Sequence, residues 1–199
     1  MKNLQYPLEF KFKVTTLASD FTITDKNGQM QAYVRSKIFK LKDDVQVFDS
    51  DSKNQVLYTI KANKWIDFNA SYAITDPNTN TEIGKVARKG LRSFWRATYN
   101  VLDNRGENLF TITEENPWVK MWDSVVGELP LIGMFTGYFL NPAYIVKDQN
   151  GRIIFRLKKT PSLLGRRFVL DRLVDIPDDQ ESLCALSLMM TVLLERARG

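Results

Sequence analysis

The sequence predicts an all-β protein with one internal helix: a closed antiparallel barrel of about twelve strands around a buried hydrophobic C-terminal helix. Three observations predict it. A short hairpin pattern recurs along the chain. Several strands alternate strictly between apolar and polar residues. The segment 178–196 reads as a helix that is apolar on every side.

The hairpin pattern is an aromatic or Val, alternating apolar residues, then Asp and turn residues. Phe21-Thr-Ile-Thr-Asp25-Lys-Asn-Gly28, Tyr99-Asn-Val-Leu-Asp103-Asn-Arg-Gly106 and Tyr144-Ile-Val-Lys-Asp148-Gln-Asn-Gly151 carry it in full. Tyr72-Ala-Ile-Thr-Asp76-Pro-Asn-Thr79 is a further copy, and Val45-Gln-Val-Phe-Asp49-Ser-Asp-Ser52 a weaker one. Asp first and Gly fourth suit a type I turn, with the glycine taking positive φ. Each copy therefore joins an entering and a leaving strand. Reading outward from the turns places strands near 8–14, 20–24, 29–34, 44–48, 56–62 and 68–75. Six more follow near 83–89, 93–102, 108–113, 143–147, 152–158 and 168–173. Phe10-Lys11-Phe12-Lys13-Val14 and Ile154-Phe155-Arg156-Leu157-Lys158 alternate clearly, so each has a buried and a wet face.

The C-terminal helix has both ends marked. Pro177 closes the preceding segment, and Asp178 or Asp179 is placed to cap the first turn. Acids at its start and Arg196 and Arg198 at its end suit the helix dipole. The apolar run Leu183–Leu194 rises only about 18 Å, short of the roughly 30 Å of bilayer hydrocarbon. A helix apolar all round must be buried all round. Amphipathic strands must close or stack to remove their edges. A barrel with a wet outside has an apolar lumen, and this helix is a fitting filling. The alternative is a two-sheet sandwich with the helix across one face. A short helix is expected at 117–126, with Trp118 and Trp122 on one face, followed by the apolar segment Leu129–Leu140, either a lid or an exposed contact.

The chain of 199 residues is read as a single domain. It has no histidine, which removes Ser-His-Asp and Cys-His catalysis and every His-based metal site. The single cysteine, Cys184, falls mid-helix among leucines and reads as a small buried side chain. Met1–Phe12 lacks the apolar run of a secretory signal, so a reducing, cytoplasmic setting is expected. No catalytic pair, Gly-rich phosphate loop or metal cluster is marked, so no enzyme activity, cofactor or metal is expected. Asp49–Asn54 resembles a calcium loop only superficially. Its sixth position is Asn54 rather than Gly and its twelfth is Ile60 rather than Glu, so a solvated turn is expected.

Two basic clusters are the candidate binding residues. Lys85, Arg88, Lys89, Arg92 and Arg96 fall close together, with Phe94 and Trp95 interleaved. Lys158, Lys159, Arg166 and Arg167, with Arg156 completing the cluster, flank Pro161-Ser-Leu163-Leu164-Gly165. Arginine and lysine in this pattern suit phosphate or anionic lipid; equally, they suit the wet sides of hairpins. The net charge of +5 permits an anionic partner. Nucleic acid is disfavoured, because the basic residues are divided among strands and no recognition motif is present.

Tyr-x-Val/Ile-x-Asp hairpins in series, closed by the helix Ser182–Leu194, resemble the tubby C-terminal-like superfamily. That superfamily includes the tubby domain, the phospholipid scramblases and the LURP-one-related proteins, and the likeness is strongest to the last two. It covers about residues 6–197 and implies a twelve-stranded barrel around a central helix. It further implies a non-catalytic intracellular module, peripheral at the membrane, contacting anionic phospholipid. A protein-interaction scaffold is the alternative, and a scramblase-type transporter a third reading. The chain lacks the clustered cysteines and acidic calcium segment of scramblases. The phosphoinositide pocket of tubby domains has no residue-by-residue counterpart in it.

Overall fold

The computed structural model describes residues 4–13, 20–36, 44–63, 70–89, 97–115, 143–161 and 167–196. Twelve strands form a closed antiparallel barrel. They are β1 (Leu8–Phe12), β2 (Phe21–Thr24), β3 (Met30–Ser36), β4 (Asp44–Phe48), β5 (Val56–Asn63) and β6 (Ser71–Asp76). The series continues with β7 (Thr81–Arg88), β8 (Thr98–Asp103), β9 (Asn108–Glu114), β10 (Ala143–Asp148), β11 (Ile153–Thr160) and β12 (Arg167–Arg172). Each strand pairs with its sequence neighbours, and β1 pairs with β12 to close the ring, with Leu8 opposite Leu170 and Lys11 opposite Arg167. Helix α1 (Asp178–Arg196) follows. The expected helix at 117–126 and the segment Leu129–Leu140 lie outside the described residues.

The repeated turns have a common construction. Asp25, Asp103 and Asp148 each accept, at Oδ1, the N–H groups two and four residues on, at 2.8–3.0 Å. Gly28, Gly106 and Gly151 each donate an N–H to the carbonyl of that aspartate and take φ of +77°, +86° and +80°. The other two turns depart from the expected pattern. Their positive φ falls on Asn80 (+51°) and Lys53 (+58°), one residue later and not on glycine. All five hairpins shift register about two residues before the turn aspartate, at Ile23/Thr24, Val47/Phe48, Ile74/Thr75, Val101/Leu102 and Val146/Lys147. An extra residue on one strand raises local twist, and the repetition coils the sheet toward closure.

Alternation sorts side chains between lumen and exterior. Phe10, Phe21, Ile23, Ile60, Ile74, Val86, Ile112, Phe155, Leu157 and Leu170 are buried inside. Every residue of α1 from Glu181 to Leu194 is buried. Each buried leucine contributes about 2 kcal/mol of transfer free energy. Two of the buried polar helix side chains have identified partners, whereas the Ser187 hydroxyl has none among the described residues. Thr191 donates its hydroxyl to the Ser187 carbonyl at 2.9 Å, and Glu181 accepts from Arg172 at 2.6 Å. The helix start differs from expectation. The first intrahelical bond runs from the Glu181 N–H to the Pro177 carbonyl, so Pro177 holds the cap position. Asp178 and Asp179 act there through charge alone.

Gly84 marks the closest approach of helix and wall. A Cβ at this position would lie 2.8 Å from both methyl carbons of Leu183 and 2.4 Å from the Leu102 carbonyl oxygen.

Candidate functional site

The barrel has two unlike ends. The five short turns and the start of α1 lie at one; Phe12, Arg88, Thr160 and the end of α1 lie at the other. The chain direction requires this alternation, and two contacts fix the helix polarity. Tyr99, opposite Arg88, donates its hydroxyl to Glu195 Oε1 at 2.7 Å, and the Arg196 guanidinium sits 4.1 Å over the Phe12 ring.

All the described candidate cations except Lys85 fall at this second end, but on two faces. Alternation along β7 puts Lys85 and Lys89 on the outside and Arg88 inside, with Val86 and Tyr99. The Arg88 Nε is buried without a hydrogen-bond partner among the described residues. Lys85 lies mid-strand and is tied to Glu82 at 3.1 Å. On β11, Lys158 is exposed on the outer wall, whereas Lys159 faces inward opposite Phe168. Arg167 is on the outer wall, opposite Thr160 on one side and Lys11 on the other. Arg92, Arg96 and Arg166, with Phe94 and Trp95, lie outside the described residues.

The structure therefore brings together Lys158, Arg167 and Lys11 on three adjacent strands. The β7 cations stand four strands away, about 19 Å along the wall at the usual strand spacing. Lys11 was not among the sequence candidates, nor were Lys13 and Arg196 at the same end. Lys11 reaches Arg167 only because β1 and β12 close the barrel, which no local pattern signals. Like charges placed directly opposite on a sheet cost stability. Glu9 offsets part of this, reaching Arg167 Nε at 3.6 Å in a half-exposed pair.

Several carboxylates at this end are engaged. Asp20 Oδ2 accepts from the Tyr33 hydroxyl at 2.7 Å, and Glu115 pairs closely with Arg156. Inside the mouth, buried Glu114 stands opposite Tyr144. Burial, then the charges of Glu195 and Glu114, pushes the Tyr144 phenol above its usual range. Burial, then the bond to Asp20, pushes Tyr33 up to about 12. Among the described residues this end carries two outer cationic patches, four strands apart, beside a polar mouth in which Arg88 Nε and Asp20 Oδ1 lack partners.

At the Asp49 turn, Asp49 Oδ1 accepts from the Ser50 hydroxyl and the Gln55 N–H. That oxygen is occupied by its own loop. Among the described residues no helix is long and apolar enough to cross a membrane.

No protein-family model matches the chain, and no curated protein sequence matches it. Among solved structures, the X-ray structure of a protein from Arabidopsis thaliana is similar, with a TM-score of 0.49 and 14% identity. The likeness covers 96% of this chain and 93% of that one.

Proposed function

We propose that this protein is a non-catalytic binding module of the tubby-like kind that contacts anionic membrane surfaces through the basic end of its barrel. The observation that carries the reading is the outer-wall group Lys11, Lys158 and Arg167. Two like charges held directly opposite each other lower stability in the free protein. An anionic surface turns that repulsion into attraction worth about 1 kcal/mol per cation near the interface. Lys89, Arg88, Lys159 and Arg196 extend the positive field around the same end.

The test is cosedimentation with phosphatidylcholine vesicles, with and without phosphatidylserine. Binding to the anionic vesicles should fall as salt rises from about 0.1 M to about 1 M, where the screening length shrinks from about 10 Å to about 3 Å. Substituting Lys11, Lys158 and Arg167 by Gln together should weaken binding roughly 100-fold. Equal sedimentation with neutral and anionic vesicles, or an unchanged triple variant, would refute the reading.

A further inference from the structure

The opposite end, where α1 enters the barrel, has the reverse charge and a different shape. A cleft of about 600 Å³ there is lined by Asp76, Glu82, Asp103, Asp178 and Asp179, with Arg105 as its one cation among the described residues. Tyr58, Ile83, Leu109 and Leu183 give it an apolar lining. A second cleft of about 320 Å³ adjoins it, sharing Leu109 and Gln180 and adding Asp148 and Asp175, which Arg152 of the same lining and Arg172 already pair at 3.1 Å. Together they form a groove around the helix entrance.

We propose that this groove docks an extended basic segment of a partner protein. Lysine or arginine heads would meet the carboxylates, and an interspersed apolar side chain would rest on Ile83 and Leu109. This inference does not depend on membrane binding at the other end.

Four features favour that occupant. The carboxylates are spread along the groove: among the described residues no three acidic, His or Cys side chains converge closely enough to hold one metal ion. A ligand with several separated cations fits that spread; a single ion does not. The carboxylates are also preoriented. Asp76 Oδ1 accepts the Asn78 N–H, and Asp103 Oδ1 accepts those of Arg105 and Glu107, at 2.8–2.9 Å. Among the described residues Glu82 is held only by its half-exposed pair with Lys85, a contact that an incoming cation can replace at little cost. Finally, the barrel is closed and offers no strand edge, so recognition must run through side chains rather than strand addition. The helix start adds roughly half a positive charge, outweighed by Asp178 and Asp179 beside it.

The nineteen residues of α1 rise about 28 Å between the two ends. A molecule held by its basic end thus turns the acidic groove away from the surface that holds it.

The experiment is fluorescence anisotropy with a labelled peptide of about ten residues alternating lysine and leucine, long enough at about 3.3 Å per residue to span both clefts. A second peptide replaces leucine by serine. The protein variant is Asp76→Asn, Glu82→Gln, Asp103→Asn; each asparagine keeps the oxygen that holds its turn. We expect saturable one-to-one binding of the leucine peptide, weakened about tenfold both by the triple variant and by the serine peptide. Lys158→Gln with Arg167→Gln should leave it unchanged. Should the triple variant fail to fold, Glu82→Lys on its exposed side chain gives the same readout. No saturable binding, equal affinity of wild type and variant, equal affinity of both peptides, or loss on changing Lys158 and Arg167 would each overturn the proposal.

Discussion

Replacing Gly84 by alanine tests the placement of the helix inside the barrel. The added Cβ would sit 2.4 Å from the Leu102 carbonyl oxygen and 2.8 Å from both Leu183 methyls. The methyls can turn aside; the carbonyl belongs to the neighbouring strand and cannot, because β7 and β8 are paired there, Gly84 opposite Asp103 and Lys85 opposite Leu102. Overpacking in a filled core costs about 1–3 kcal/mol, and the backbone contact puts this site at the upper end, about 3 kcal/mol. For a chain of this size that lowers Tm by about 6–12 °C. Leu183→Ala alone removes a buried side chain at the helix entrance and should cost about 2 kcal/mol. The double variant relieves the methyl contact but not the carbonyl contact. It should therefore lose about 1 kcal/mol less than the two losses added. Urea unfolding followed by far-ultraviolet circular dichroism gives all four corners of the cycle. A Gly84→Ala protein within about 0.5 kcal/mol of wild type would refute the close approach of the Leu102 carbonyl to Gly84. Strict additivity would refute the contact with Leu183.

Acid stability should depend on Asp148. Partial burial pushes its carboxyl up, but the N–H groups of Arg152 and Asn150 and the Arg152 guanidinium outweigh this, and the net shift is downward. A carboxyl depressed in the folded state stabilises fully above its unfolded value of about 4 and loses that contribution as pH falls through the lower folded value. Asp148→Asn should therefore be less stable than wild type at neutral pH, with the gap in urea midpoint closing below about pH 4. A gap independent of pH would contradict this. Cys184 supplies a probe of the lumen. Burial, then the charge of Glu181, raises its thiol above the usual range. At mildly alkaline pH its modification by a thiol reagent should be slowed at least about a thousandfold relative to the unfolded chain. Its rate should rise with urea in step with global unfolding; rapid labelling of the native protein would place α1 outside the barrel.

How far the fold was legible depended on how local each signal was. The turns at Asp25, Asp103 and Asp148 announce themselves, because the aspartate that accepts the N–H groups and the glycine that takes positive φ are three residues apart. The turns ending at Lys53 and Asn80 place that conformation on ordinary residues, so their length was not readable. The helix was legible from its apolar run, but the burial of Glu181 was not. Its compensation comes from Arg172, on a strand whose register the sequence does not state. In the basic cluster, the odd spacing of Lys85 and Arg88 already implied opposite faces of a strand. Lys11 beside Arg167 had no such signal, since only ring closure joins them. The acidic groove was hidden for the same reason: Asp76, Asp103 and Asp148 belong to separate turns, each locally explained by its own hydrogen bonds, and Asp178 and Asp179 to the helix start.

The order of elements along the chain also sets when this protein can fold. The core helix begins about 170 residues after Leu8, and β1 lacks its second neighbour until β12 exists. At synthesis rates of about 5–20 residues per second, the first strands wait on the order of ten to thirty seconds for both. During that interval the inward faces carrying Phe10, Phe21 and Tyr72 lack the core helix that fills the lumen, and the growing sheet presents an open edge. Assembly is then a single late event rather than a progressive one. Until that event the newly made chain carries apolar surfaces that the finished molecule never exposes.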